Sequence, residues 1–186
     1  MVIGVLQHPR EARVSKGTGA LLPLALRDAF IVRGIGLDED PLLAAQIARF
    51  PAGSVGLLFP EQAVDIRQAP AALACLLVPD GTWSQARCIL GASPRLGALP
   101  RYALPAGVQG SFPIRRPAGP GRVSTLEAVV AALRVLEGDP GAYQACLSLQ
   151  AELVRVQVEQ MRARDAHHPA LGTGSWRPRK GGGTEV

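Results

Sequence analysis

The chain has 186 residues, 47% of them apolar, which is enough to bury a core of its own and too apolar for a disordered chain. Its formal net charge is +5, from 20 Lys and Arg against 15 Asp and Glu, which attracts polyanions such as RNA. An Arg-rich composition of this kind also fits plain compositional bias, so charge alone leaves nucleic-acid binding open.

In chain order, Val2 to Leu6 is a short apolar run that reads as a buried parallel strand. Gln7 to Gly19 is polar and basic, with Pro9 and Gly17, and reads as a loop. Leu21 to Val32 has apolar residues at helical spacing with Pro23 near its start, and Gly34 and Gly36 stop it. Asp38-Glu39-Asp40-Pro41 is a helix start, with the helix expected to reach about Phe50. Ser54 to Phe59 and Leu73 to Val78 are a second and third buried strand, joined by a connecting segment from Glu61 to Pro70. Thr82 or Ser84 can cap a helix running to about Leu90.

Residues 91–122 are rich in Gly and Pro, with short strands expected near Arg101–Leu104 and Ser111–Ile114. Ser124 to Glu137 is the clearest helix, Ser124 and Glu127 forming a capping box. Asp139-Pro140 opens a last helix to about Arg164. The expectation is one α/β domain over residues 1–164, a mostly parallel sheet flanked by helices, followed by a basic flexible tail over 165–186.

Ligands of open parallel sheets bind beyond the carboxyl ends of the strands. That rule selects Gln7–Gly19, Phe59–Glu61 and Pro79–Trp83. In the last of these, Asp80-Gly81-Thr82-Trp83 puts a carboxylate, a glycine, a hydroxyl and a large aromatic between a buried strand and a helix. Trp83 can pack on a base and Asp80 can accept hydrogen bonds or a proton; equally, Asp80 can cap the helix and Trp83 fill the core. Gly121 to Ala128 sets two hydroxyls, Ser124 and Thr125, at a helix N-terminus, where free N–H groups suit an anionic ligand or only a cap. Arg10, Arg13 and Lys16 suit phosphate contacts, and Arg115-Arg116 is a second basic pair. His8 reads as a structural hydrogen-bonding residue.

There is no P-loop, no GxGxxG and no GxSxG elbow. Cys75, Cys88 and Cys146 match neither a zinc site nor a disulfide framework, and no metal is expected. No apolar run approaches the ~20 residues of a membrane span. The opening MVIGVLQHPREARV lacks the order of a signal peptide. Localisation is therefore expected to be cytoplasmic, with no membrane or DNA partner and a monomeric state.

Four of these pieces occur together in one family. LQHPREA with the TG-L-L stretch after it, LLFP at 57–60, Asp80-x-Thr82-Trp83 and VSTLEAVVAAL at 123–133 resemble the DTW-domain tRNA-uridine aminocarboxypropyltransferases over about residues 2 to 160. The resemblance implies a SPOUT-like core with a C-terminal trefoil knot that binds S-adenosylmethionine as co-substrate. It implies transfer of the 3-amino-3-carboxypropyl group to N3 of a uridine in tRNA, with release of 5′-methylthioadenosine. Thr82 favours the tRNA branch over a related ribosomal RNA branch whose motif carries Ser.

In that frame Leu57, Pro60, Trp83 and Leu104 would wall the adenine and methyl, with Thr82 in the same motif. Thr18 with Ser124 or Thr125 would hold the amino-acid end. Asp80 would be the catalytic acceptor for the N3 proton, or would orient the cofactor. Arg10, Arg13, Lys16, Arg115 and Arg116 would hold the RNA backbone. Many members carry a cysteine cluster resembling a zinc site ahead of the first strand; this chain starts at or just before that strand without one. The alternatives are a SPOUT-type methyltransferase and a non-catalytic RNA-binding module.

Overall fold

The structure is a computed structural model that describes residues 1–14, 17–108, 110 and 123–167. Among the described residues a six-stranded sheet is formed by β1 (Val2–Gln7), β2 (Ala29–Arg33), β3 (Val55–Leu58), β4 (Val64–Asp65), β5 (Cys75–Asp80) and β6 (Arg101–Ala103). The strand order is β2-β1-β5-β3-β6-β4 and every pairing is parallel. The helices are α1 (Leu22–Ala25), α2 (Pro41–Ile47), α3 (Trp83–Gly91), α4 (Pro94–Gly97), α5 (Thr125–Glu137) and α6 (Gln144–His167).

The pleat of the strands splits the core in two. Ile3, Val5, Leu76 and Val78 face one side, where they pack with Leu22 of α1, with Leu126, Val129 and Leu133 of α5 and with Cys146 of α6. Leu6, Val32, Leu57, Cys75 and Leu77 face the other, against Leu43 of α2, Ala86 and Ile89 of α3 and Leu96 of α4. The result is a three-layer α/β/α arrangement in which both sheet faces are covered, the usual condition for a parallel sheet. Strands apolar on both faces explain why their sequences read as unbroken apolar runs. Gly4 is needed where β1 runs under Phe30: a Cβ there would lie 2.5 Å from the Phe30 ring and 2.5 Å from Leu77 Cδ2.

Three of the helices, α2, α3 and α5, start where the sequence places them. Asp40 caps α2 by accepting from the Leu43 N–H at 2.9 Å, with Pro41 in the first turn. Of the two caps offered for α3, Thr82 is the one used, closing a box with Gln85, and Ser124 closes the expected box with Glu127 on α5. Gly138 ends α5 in the left-handed region, at φ 67°.

The expected helix from Leu21 to Val32 is the main error. Only Leu22–Ala25 is helical, and Ala29–Arg33 is a strand paired along β1 from Ile3↔Ala29 to Gln7↔Arg33. Ala-Phe-Ile-Val-Arg is aromatic and β-branched, and the backbone of β1 supplies hydrogen bonds that outweigh an ambiguous apolar spacing. The third strand lies at Cys75–Asp80, two residues beyond the expected run, so Asp80 ends the strand itself. The connecting segment contains β4, and the Gly/Pro-rich stretch contains α4. Asp139 starts a turn rather than a helix, its side chain accepting from the Gly141 N–H, and α6 begins at Gln144. Its last turn reaches His167, past the expected start of the tail at 165. The strand expected at Ser111–Ile114 and the tail beyond His167 lie outside the described residues. Among the described residues no helix is long and apolar enough to cross a membrane, and no cluster of three or more His, Cys, Asp or Glu could hold a metal ion.

Three outcomes follow from this packing. Gly4→Val should lower stability by about 3 kcal/mol, read from urea midpoints, because neither the Phe30 ring nor Leu77 can withdraw without opening the core. Burial pushes the Cys75 thiol up to about 11 from 9.0 and raises that of Cys146 as well, whereas Cys88 is exposed. A thiol reagent at pH 8 should therefore label Cys88 first and reach the other two only on unfolding, as peptide mass mapping would show. Because the folded value of Cys75 is raised, the stability gained from keeping it neutral is complete below pH 9.0 and fades as pH climbs toward 11.

Candidate active site

The chain leaves β1 toward β2 on one side, while β3, β6 and β4 lie on the other, so β5 stands where the strand order reverses. Its carboxyl end is Asp80, the position at which ligands of doubly wound sheets bind. Asp80 has no exposed surface. Its Oδ2 accepts from Gln7 Nε2 at 2.9 Å, and its Oδ1 accepts from the Thr125 hydroxyl at 2.6 Å. Gln7 in turn accepts from Arg33 Nε at 2.9 Å. Gly19 lies against the carboxylate so closely that a Cβ would fall 2.4 Å from its Cγ. The loop after β1, the end of β5 and the start of α5 thus meet at one buried negative charge, held by two donors in a low-dielectric setting where such bonds are strong.

Thr18 and Ser124 surround this point but are committed within the protein. Thr18 is 2% exposed, and its hydroxyl lies 3.5 Å from the Leu126 N–H that faces it. The Ser124 hydroxyl accepts from the Glu127 N–H at 3.1 Å and donates to Gln150 Oε1 at 2.7 Å, while the Ser124 N–H donates to Glu127 Oε2 at 2.8 Å. These two hydroxyls therefore finish the start of α5, and Thr125 links it to Asp80. His8 is buried; its N–H donates to the Asp80 carbonyl at 3.0 Å and its Nδ1 accepts from the Arg10 N–H.

On the α3 side of the sheet edge Trp83 is half-buried and tilted against Phe59, with ring centroids 5.6 Å apart. Pro60 is exposed just beyond β3, and Thr82 is exposed as the cap of α3. Leu57 is fully enclosed in the core and presents no surface to a ligand; Phe59, two residues further along, is the neighbour of Trp83. Leu104 is half-buried and packs with the α5-side core, not with Trp83. Arg10 and Arg13 are exposed on the loop after β1; Lys16, Arg115 and Arg116 lie outside the described residues.

Sequence reading missed Gln7 as the partner of Asp80, and it missed Arg33; Phe59 lay in a selected segment without being named as the neighbour of Trp83. The signal for Gln7 was present: a polar residue ends an otherwise apolar strand and must find a partner when buried. Arg33 was hidden by the mistaken helix.

Asp80→Ala would leave the Thr125 hydroxyl and the Gln7 amide without their acceptor and should cost about 3 kcal/mol in urea unfolding. Asp80→Asn should cost about 1 kcal/mol, since its remaining oxygen serves Gln7 and the Thr125 hydroxyl can turn to accept from the new NH2.

The DTW domain model matches residues 1–158. A protein named tRNA-uridine aminocarboxypropyltransferase 2, from Drosophila melanogaster, is 29% identical over 165 residues, an alignment that takes in 84% of this chain and 64% of that protein. The chain therefore spans under two thirds of that relative's length. No solved structure matches the chain. The Asp80-Gly81-Thr82-Trp83 corner at the switch point and a family match over residues 1–158 lead to one conclusion: the chain belongs to the DTW domain family.

Proposed function

We propose that the chain transfers the 3-amino-3-carboxypropyl group of S-adenosylmethionine to N3 of a uridine in tRNA. The observation that carries this reading is the 2.6 Å bond between Thr125 and Asp80, which joins the D-x-T-W element to the S-T-x-E-A helix start in one place. Family membership and the name of the Drosophila relative support this reaction class. The parallel sheet flanked by helices supports a SPOUT-like core, in which the C-terminal trefoil knot is part of the same proposal.

In the reaction N3 of the uridine forms a bond to the aminocarboxypropyl carbon, the bond from that carbon to the sulfonium breaks, the N3 proton is released and methylthioadenosine leaves. A sulfonium activates all three of its carbons, so choosing one is a matter of orientation. Trp83, backed by Phe59 and flanked by Pro60, offers an apolar face for the adenine and methyl. Asp80 is enclosed, with both oxygens accepting, so in this reading it is a positioning residue that acts through Thr125 and Gln7. Thr18 and Ser124 hold the first turn of α5, where the amino-acid end of the co-substrate would rest. Arg10 and Arg13 add charge beside the crevice for the RNA backbone.

Incubation with S-adenosylmethionine and tRNA lacking the modification, followed by digestion and mass analysis of nucleosides, should yield a uridine heavier by about 101 Da. Trp83→Ala should cut its formation at least about tenfold. A gain of about 14 Da would instead identify a methyltransferase, and an unmodified pool despite bound tRNA would identify a binding module.

A further inference from the structure

Arg33 closes the edge strand β2, and its side chain is exposed. The strand register pairs Gln7 with Arg33 on one side and with Asp80 on the other. These three residues form a row across three neighbouring strands at the carboxyl edge of the sheet, joined by the two 2.9 Å bonds already described. A carboxylate can only accept, so the Gln7 NH2 must face Asp80 and its carbonyl must face Arg33. The amide has no alternative orientation that keeps both bonds. Arg33 is thereby held at Nε, and its two Nη groups have no hydrogen-bond or ion-pair partner among the described residues.

Several other exposed arginines have a carboxylate partner. Arg67 pairs with Asp65, Arg87 with Glu61, Arg95 with Asp38 and Glu39, and Arg155 with Glu152 and Glu159. Arg33 instead leans on a neutral amide and keeps its full charge available. An anchored guanidinium has already lost much of its rotamer freedom, and its remaining N–H pair matches two oxygens of one phosphate. Arg10 and Arg13, exposed on the loop that follows Gln7, have no side-chain partner among the described residues and reinforce the positive potential on this edge.

We propose that Arg33 binds a backbone phosphate of the RNA beside the nucleotide that enters the crevice. The inference rests on the reading of the chain as a tRNA-modifying enzyme and adds a specific contact to it. Because Arg33 is one residue removed from Asp80 through Gln7, the phosphate it captures lies next to the reacting base and sets its register.

The test is fluorescence anisotropy of labelled tRNA with the full chain, titrated between about 50 and 200 mM salt, with S-adenosylmethionine binding measured separately by calorimetry. Arg33→Ala is expected to weaken RNA binding about fivefold to tenfold at the low-salt end and to reduce the slope of log K against log salt by about 1. Arg33→Lys, which keeps charge and loses the fork, should fall between the two. Co-substrate affinity should be unchanged in both variants. Wild-type RNA affinity and slope in Arg33→Ala overturn the inference while leaving the proposed function standing. A loss of co-substrate affinity equal to the loss of RNA affinity also overturns it, since Arg33 would then act through Gln7 on Asp80. Failure of the unaltered chain to bind tRNA overturns the inference together with the function on which it rests.

Discussion

A carboxylate with no exposed surface sits at the point where the sheet reverses its strand order, and much of the local architecture answers to it. Asp80 requires donors, and they come from two separate parts of the chain, Gln7 at the end of β1 and Thr125 at the start of α5. It also requires a neighbour without a side chain, which Gly19 provides. Burying a charge is costly unless its lone pairs are met, so these contacts select one arrangement of three segments over the loose alternatives that apolar packing alone would tolerate.

The two sides of the sheet edge contribute different chemistry. On the α5 side the hydroxyls of Thr18, Ser124 and Thr125 bond to the backbone of α5, to Gln150 and to Asp80. On the α3 side Trp83 and Phe59 form an aromatic corner, held by a capping box that fixes where α3 begins. A ligand that bridges the edge meets a polar, rigid helix start on one flank and an apolar face on the other.

Rigid preparation of such a site places demands on the surrounding sheet. Phe30 crosses over Gly4, and the parallel pairing of β1 with both β2 and β5 keeps Arg33, Gln7 and Asp80 at one level. A slip of one residue in either pairing would send Gln7 or Asp80 to the opposite face and break the row. The apolar alternation of Ile3, Val5, Leu76 and Val78 against Leu6, Cys75 and Leu77 guards against that slip, so core packing and site geometry are enforced by the same residues.

The sequence by itself determined the strongly periodic and capped parts: the α/β class, β1, β3 and β6 within a residue or two, the Ser124–Glu127 capping box, and Thr82 as one of two candidate caps of α3. These are local signals, legible because a cap, a turn or an apolar run needs only its neighbours to make sense. What only the tertiary structure decided is which distant residues meet. Residues 29–33 are a strand because β1 lies beside them, and their helical spacing could not reveal that. Leu57 looked available beside Pro60, but the second layer of helices encloses it. Gln7 and Arg33 joined the site only when parallel register set them in line with Asp80: a polar residue ending an apolar strand signals that Gln7 needs a partner, but not that the partner lies 73 positions away.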